Sequence, residues 1–146
     1  MGKRVPLEKR TIGQLKGLLD KEVSTWVRNY WSEDGENAQC FTCNIVKPIK
    51  QMHCGHYIPR NISPTRYQVG AEIDNTDCPN LAPQCPQCNT FRHGMGFEYR
   101  ANLVKLVGSE PVEVMEEKAR QPWKWDKLEL LTKIALFRSE NKQWAV

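Results

Sequence analysis

Four cysteines form two identical short motifs whose spacing is typical of a metal site. Cys40 and Cys43 enclose two residues, and Cys85 and Cys88 repeat this spacing later in the chain. A C-x-x-C pair bends the backbone so that both thiolates reach one ion, and two pairs complete the tetrahedral shell of a structural Zn²⁺. A redox dithiol motif is the alternative, but two pairs without a surrounding βαβ pattern favour zinc. A closed four-sulfur shell leaves no coordination position for a reactive water, so we expect a structural ion.

Histidines and asparagines surround these motifs, and these residue types suit phosphodiester hydrolysis. His53 and His56 stand in the segment HCGHYIPR, Asn80 precedes the third cysteine, and Asn89 directly follows the fourth. Hydrolysis of a phosphodiester requires a water deprotonated near neutral pH and a cation that neutralises the charge developing on the phosphate. An imidazole is the natural base at that pH.

Basic residues lie in two stretches that lack acidic residues, although the net charge of the chain is only +4. No Asp or Glu occurs between Glu36 and Glu72, or from Cys78 to Phe97. The basic residues in these stretches are Lys47, Lys50, Arg60, Arg66 and Arg92. Each stretch surrounds a cysteine pair, so we expect a phosphate-facing surface. Phosphate contacts carry no base-sequence information, and no recognition-helix pattern is present, which favours selection by DNA shape.

Helical periodicity at both ends of the chain predicts the elements that carry these residues. Apolar residues recur at spacings of three and four from Ile12 to Tyr30, and Thr11 with Gln14 forms a capping-box pattern, which predicts an N-terminal helix over 11–31. We expect a zinc-stabilised core over 38–96, with an ordered loop over 61–84, and helices over 97–146. With 146 residues, the chain is expected to be a single α+β domain, 1–146.

The C-terminal helices show their boundaries in the sequence. Phe97, Leu103, Val104 and Val107 predict one buried face, and Gly108 is expected to end that helix. Ser109 is expected to cap the next helix. Asp126 with Glu129 predicts the start of the last, whose predicted buried face is Leu128, Leu131, Ile134 and Ala135.

The composition excludes several classes of protein. Hydrophobic residues make up 40% and charged residues 26% of the chain, so it is not disordered by composition. No apolar run approaches the roughly 20 residues of a membrane span. The basic start leads into an amphipathic pattern and not into a secretory signal. We therefore expect a cytoplasmic protein, in which cysteines bind metal more readily than they form disulfides. Cys54 and Cys78 fall outside the two C-x-x-C motifs, and we expect them to be ordinary thiols and not metal ligands.

The order of the motifs resembles the HNH nuclease superfamily, whose ββα-metal core is similar to a treble clef. The combination of WVRNYW, CFTC, GHYIPR, TRY, NLAPQCPQCN and LVKLVG is more narrowly similar to the phage lambda NinG family, also called Rap. The resemblance covers roughly residues 23–115. It implies a recombination endonuclease that hydrolyses branched DNA, such as Holliday junctions, D-loops and forks, in the cytoplasm of a bacterial host.

The resemblance also implies a role for each site residue. His56 would activate the water, Asn80 would orient its imidazole, and Asn89 would bind a divalent ion, Mg²⁺ or Mn²⁺. Many HNH sites place an Asp directly before the base, where this chain has Gly55. His53 is the expected replacement ligand, and a nitrogen-rich site would favour Mn²⁺, Ni²⁺ or Zn²⁺ over Mg²⁺. The alternative ligands are Asp74, Asp77, Glu98 and His93, of which His93 is expected rather to contact DNA or sit on a helical turn.

Two other functions fit the same residues. The absence of the Asp before His56 favours a non-catalytic zinc module that binds DNA and recruits recombination proteins. A general HNH nicking endonuclease would cleave with little preference for branches. The terminal helices are candidates for homodimerisation, and the five tryptophans could stack on unpaired bases, although Trp26 and Trp31 are expected in the core.

Overall fold

The computed structural model describes residues 2–145 and has the mixed α+β composition that the sequence predicts. The helices in this range are α1 (Ile12–Tyr30), α2 (Gly96–Val107), α3 (Ser109–Ala119) and α4 (Lys127–Asn141). The strands are β1 (Asn37–Gln39), β2 (Val46–Pro48), β3 (His53–His56) and β4 (Leu81–Gln84). Among residues 2–145, no helix has both the length and the apolar character needed to span a membrane.

The chain divides into two compact units. Met1–Trp26 and Lys124–Val146 form one, here called the terminal unit, and Val27–Trp123 form the other, here called the central unit. All of the cysteines, histidines and other predicted site residues belong to the central unit.

The terminal unit has a helical core whose helix starts follow the predicted caps. The Thr11 hydroxyl accepts the Gln14 N–H at 3.1 Å, and the Gln14 side chain accepts the Thr11 N–H at 2.9 Å, which confirms the capping box. The Asp126 carboxylate accepts the Glu129 N–H at 2.8 Å and caps α4 as predicted. Buried side chains include Leu15, Leu19, Val23, Trp26, Leu130, Ile134 and Phe137.

The predicted buried face of α4 is wrong at two positions. Leu128 is 74% exposed and Ala135 is exposed, whereas Leu130, Ile134 and Phe137 are buried. The buried residues are spaced by four and three, as helical geometry requires. Because α4 has leucines on several sides, the apolar pattern alone does not identify the side that packs. The Phe137 ring instead meets the Trp26 ring edge-on, with centroids 6.0 Å apart.

Two pairs of short antiparallel strands form the sheets of the central unit. In the first, β1 pairs with β2 and Ala38 lies opposite Lys47. In the second, β3 pairs with β4, and His53 and His56 lie opposite Gln84 and Leu81. The first pairing encloses the first cysteine motif, and the second places β3 beside the strand that directly precedes the second cysteine motif.

Strand β4 corrects the prediction of a loop over 61–84. Its four residues are all buried, so the strand lacks the alternation of polar and apolar residues that marks a half-exposed strand. Pro83 also argues against a strand in the sequence, because proline has no N–H to donate. In the structure the Pro83 carbonyl accepts the Phe41 N–H at 2.8 Å, so the strand extends its contacts through its acceptors.

Helices α2 and α3 complete the central unit. Gly108 has φ +87° and its N–H donates to the Val104 carbonyl at 2.8 Å, which confirms the predicted end of α2. The predicted cap at Ser109 is wrong, because Gly108 is the N-cap and no side chain caps α3. The predicted packing of Phe97 is also wrong: its side chain is 93% exposed, and Tyr99 is buried instead.

Candidate metal and catalytic site

The first cysteine pair lies in the turn between β1 and β2. The Cys40 N–H donates to the Ile45 carbonyl at 2.8 Å, and the Asn44 N–H donates back to the Cys40 carbonyl at 3.0 Å. Asn44 has φ +68°, a left-handed conformation that asparagine tolerates better than most residues. These bonds close the turn and direct both thiols to one side of it.

The second cysteine pair follows β4 directly. The short helical segment Gln87–Phe91 begins between the two cysteines, and the Asn89 N–H donates to the Cys85 carbonyl at 2.9 Å. The Cys88 N–H points at the Cys85 sulfur from 3.5 Å. The pair is therefore held by the end of a strand and the start of a helix.

The four cysteines of the two pairs come together as predicted. Their Sγ atoms all lie within 4.8 Å of one another, and Cys43 Sγ is 3.7 Å from Cys85 Sγ. Zn–S bonds of about 2.3 Å in a tetrahedral shell would separate the sulfurs by about 3.8 Å, close to this value. An all-thiolate donor set also suits zinc. The cluster can therefore bind a structural metal such as zinc.

The protonation of the thiols depends on the surroundings of each sulfur. Burial raises the pKa of Cys40, but hydrogen bonds from the Thr42 hydroxyl and from backbone N–H groups outweigh it and lower the pKa to about 6. Burial raises the pKa of Cys88 to about 12. A bound cation would favour the thiolate form of all four cysteines. Outside the cluster, burial raises the pKa of the Cys78 thiol to about 12, which makes it a poor nucleophile at neutral pH.

The two residues expected to bind the catalytic ion are neighbours. His53 Nδ1 is 3.1 Å from Asn89 Nδ2. His53 is exposed at the start of β3, and Asn89 is half-buried in the helical segment directly after Cys88. A strand and a helical turn that are both tied to the cysteine cluster thus bring these side chains together.

His56 stands at the other end of β3. Its Nε2 lies 3.0 Å from the Arg66 carbonyl oxygen. Because a carbonyl oxygen only accepts, this contact requires the proton to be on Nε2, which leaves the lone pair on Nδ1. An imidazole held in this tautomer can accept a proton through Nδ1.

Asn80 fixes the backbone near His56 and near Arg66, whose carbonyl contacts His56. It is fully buried, and its side-chain oxygen accepts the Ile58 N–H at 2.7 Å. Its amide nitrogen donates to the carbonyls of Ile58 and Thr65, both at 3.0 Å. Asn80 therefore joins the residues just after His56 to the residue just before Arg66. Its contacts make it a positioning residue.

Replacement of Asn80 by Ala is expected to destabilise the central unit by about 2–3 kcal/mol, since one buried and two part-buried backbone groups lose their partners, at about 1 kcal/mol or more each. Urea unfolding measures this change. Asn102→Ala is the matched control, because Asn102 makes a single side-chain bond, to the Phe41 carbonyl at 2.7 Å. Equal losses for the two variants would contradict the role of Asn80.

Gly55 occupies the position before His56 because a neighbouring side chain fills the space. A Cβ atom built on Gly55 would lie 1.9 Å from the Oε1 atom of Gln84. Gln84 is fully buried, and its amide nitrogen donates to the Thr42 hydroxyl at 3.1 Å and to the Gly94 carbonyl at 2.9 Å. An Asp at position 55 would therefore displace a side chain that joins the first cysteine turn to the segment before α2. No sequence motif indicates this role of Gln84.

Among the described residues, the alternative ligands form no second metal-binding group of three or more with His53. Among residues 2–145, the four cysteines form the only group of three or more His, Cys, Asp or Glu residues with metal-binding geometry. Asp74 instead accepts the Val69 N–H at 2.6 Å and the Thr76 hydroxyl at 2.6 Å, which stabilises its own loop. Asp77, His93 and Glu98 are exposed. His93 lies in the turn before α2 with φ +54°.

The predicted DNA contacts are spread over several elements. Lys47 is in β2, and Lys50 follows it in a short 3₁₀ turn. Arg60 and Arg92 are exposed, whereas Arg66 is half-buried with its guanidinium 5.4 Å from the Tyr67 ring centroid.

Tyr57, Glu116 and Arg100 form a polar cluster that the sequence does not indicate. The Tyr57 hydroxyl donates to Glu116 Oε2 at 2.7 Å, and Arg100 donates to both Glu116 oxygens at 3.0 and 2.8 Å. The hydrogen bond from Arg100 lowers the pKa of Glu116, and burial raises the pKa of Tyr57 to about 12. The three residues come from separate segments of the chain, and only Tyr57 lies in one of the sequence motifs, GHYIPR.

Comparison with known proteins agrees with the motif pattern. The family model described as Bacteriophage Lambda NinG protein matches residues 7–145. No curated protein and no solved structure matches the chain. Because the family match covers nearly the whole chain, the chain belongs to the NinG family, a family of phage recombination-related proteins.

Proposed function

We propose that this protein is a metal-dependent, HNH-type endonuclease that hydrolyses phosphodiesters in branched DNA during phage recombination. The observation that carries the proposal is the contact of His53 with Asn89 beside the four-cysteine cluster, on the strand that also carries His56. The order of β3, β4 and the helical segment Gln87–Phe91 supports the proposal, because the HNH resemblance implies two strands followed by a helix.

His56 is the proposed general base. Its Nε2 proton is held by the Arg66 carbonyl at 3.0 Å, so Nδ1 accepts the proton of the attacking water. Asn80 keeps this arrangement by fixing Ile58 and Thr65 on either side of it. The base is therefore oriented by backbone groups and not by a carboxylate.

His53 and Asn89 are the proposed ligands of the catalytic divalent ion. Rotation of the Asn89 amide by 180° would put its oxygen where Nδ2 now faces His53, giving one imidazole and one oxygen ligand. Such an ion, Mg²⁺ or Mn²⁺, would neutralise charge on the phosphate as the leaving oxygen departs. The remaining protein contacts to DNA are the basic residues named above, which would bind phosphates without reading sequence.

A cleavage panel tests the proposal. Zinc-loaded protein is incubated with Mg²⁺ or Mn²⁺ and a four-way junction, a forked duplex or a linear duplex of the same strands. Faster cleavage of the branched substrates is the expected result. Equal cleavage of all three would instead indicate a general nicking endonuclease.

Changes at His53 are expected to alter the metal dependence. His53→Ala should raise the divalent-ion concentration for half-maximal cleavage by about 10- to 100-fold, as loss of a metal-site group does. His53→Asp should restore binding and move the preference from Mn²⁺ toward Mg²⁺, since carboxylates suit Mg²⁺. His53 is exposed, so neither change should affect folding. Unchanged ion titrations for both variants would exclude His53 as a ligand.

A non-catalytic zinc module is the second candidate. It is favoured by Gly55 in place of an Asp and by the finding that, among the described residues, His53 belongs to no group of three or more His, Cys, Asp or Glu with metal-binding geometry. It predicts junction binding without cleavage under any divalent ion. Ion titration followed by the His53 and Asn89 side-chain NMR signals distinguishes the two, because only the nuclease requires a second bound cation.

A further inference from the structure

An open groove with aromatic walls lies beside strand β3 in the central unit. It has a volume of about 560 Å³ and is lined by Tyr57, Gly96, Phe97, Arg100 and Ala101. Tyr57 directly follows His56, and the other four residues belong to the first turns of α2. Its volume lies within the range of roughly 300–1,000 Å³ that is typical of small-ligand sites.

Phe97 is exposed in a way that packing does not explain. Its side chain is 93% exposed, whereas Tyr99 on the same helix is fully buried. Burial of a Phe side chain is strongly favourable, and Phe97 gains almost none of this stabilisation in the protein alone. A bound ligand that covers the ring would recover part of this energy.

The other groups in the groove suit a flat aromatic ligand. Arg100 is held by two bonds to Glu116, and its side chain remains 40% exposed. A planar guanidinium and aromatic rings are the groups on which nucleobases stack. Gly96 and Ala101 have little or no side chain, so this part of the groove stays open.

The position of the groove favours a nucleic acid over an apolar peptide, because Tyr57 directly follows His56, the proposed general base. A DNA strand bound at His56 would therefore have a neighbouring nucleotide close to the groove. Glu98 is exposed directly after Phe97, and Glu116 is paired with Arg100, so the charge near the groove is mixed.

We propose that the groove binds an unpaired nucleobase of the DNA, stacked against Phe97 and Tyr57. This inference rests on the proposed function, which makes DNA the ligand. It adds a physical reason why the protein would prefer branched DNA to a linear duplex. Bases of a linear duplex are paired and stacked, whereas a base at a fork or junction is free to enter. Stacking accepts every base because each has a π face, so the groove selects structure and not sequence.

Binding measurements without added Mg²⁺ or Mn²⁺ test the groove separately from cleavage. Zinc-loaded wild type, Phe97→Ala, Phe97→Trp and Leu106→Ala are titrated with a fork that has single-stranded arms and with a linear duplex. Leu106 is the matched control, because it is an apolar residue of α2, is 52% exposed and does not line the groove. A fork with 5-iododeoxyuridine at the unpaired branch position is also irradiated and the crosslink is mapped by mass spectrometry.

Phe97→Ala should weaken fork binding by about 5- to 100-fold, the effect of losing one base–aromatic stack, and leave duplex binding unchanged. Phe97→Trp and Leu106→Ala should bind both DNAs like wild type, and the crosslink should map to Tyr57 or Phe97. The inference would be overturned if Phe97→Ala weakened fork and duplex binding equally or changed neither. A crosslink at other residues would also overturn it. These outcomes would not contradict the proposed hydrolysis. If the protein does not cleave DNA but Phe97→Ala weakens fork binding alone, the base-binding groove is supported and the proposed hydrolysis is not.

Discussion

His56→Ala is expected to lower the rate of divalent-ion-dependent cleavage of a four-way junction by about 10²- to 10⁴-fold, the usual contribution of a general base. The water would no longer lose its proton to Nδ1, while the remaining phosphate and metal contacts would be unchanged. Single-turnover cleavage of labelled junctions measures this rate. Junction affinity, measured without added divalent ion, should stay close to that of wild type.

His93→Ala is the control for the loss of an imidazole. His93 is exposed in the turn before α2 and takes no part in the hydrogen bond between His56 and Arg66. With saturating protein, His93→Ala should cleave at the wild-type rate, since the DNA contact expected of His93 affects affinity and not the proton transfer. Equal rates for His56→Ala and wild type would remove the proposed mechanism, and a loss of junction binding in His56→Ala would show instead that the residue maintains the fold of its loop.

Loss of the zinc cluster is expected to have the largest effect on stability. Zinc binding to small modules contributes about 10–16 kcal/mol, which is of the same size as the roughly 5–15 kcal/mol total stability of a typical domain. The cluster joins the β1–β2 turn to the end of β4, and its buried cysteines belong to a small core with Ala38, Ile49 and Met52. The Cys85→Ser variant should therefore bind no zinc. Its central unit should no longer unfold in a single cooperative transition.

Elemental analysis and hydrogen exchange measure these two effects. Wild type should hold one zinc per chain, and exchange in Cys85→Ser should increase over the central unit. Cys54→Ser is the matched control, because Cys54 lies on β3 and does not belong to the cluster. It should keep both zinc and protection. A Cys85→Ser protein with wild-type protection would mean that the four thiols do not stabilise the fold through a metal.

Patterns that depend on neighbours in the chain predicted the structure well. The capping box at Thr11, the Asp126 cap and the end of α2 at Gly108 are all confirmed, because each involves backbone groups within four residues. The cysteine pairs are confirmed for a similar reason. Each pair is a local turn, and only the meeting of the two turns required the fold.

Patterns that depend on packing were less informative. Phe97 and Leu128 have apolar side chains at helical spacing, yet both are exposed. Strand β4 was missed because complete burial removes the alternation that identifies a strand. In each case the side that packs is determined by a partner element far away in the chain.

The sequence by itself determined the residue types and local spacings: two C-x-x-C turns, an imidazole pair three residues apart, and an Asn directly after the last cysteine. Only the tertiary structure decided which of these residues meet. The contact of His53 with Asn89, the bond of His56 to the Arg66 carbonyl and the Gln84 side chain beside Gly55 all join residues from separate segments. The physical reason is that spacing sets geometry within a turn, whereas contacts between segments depend on which surfaces bury together.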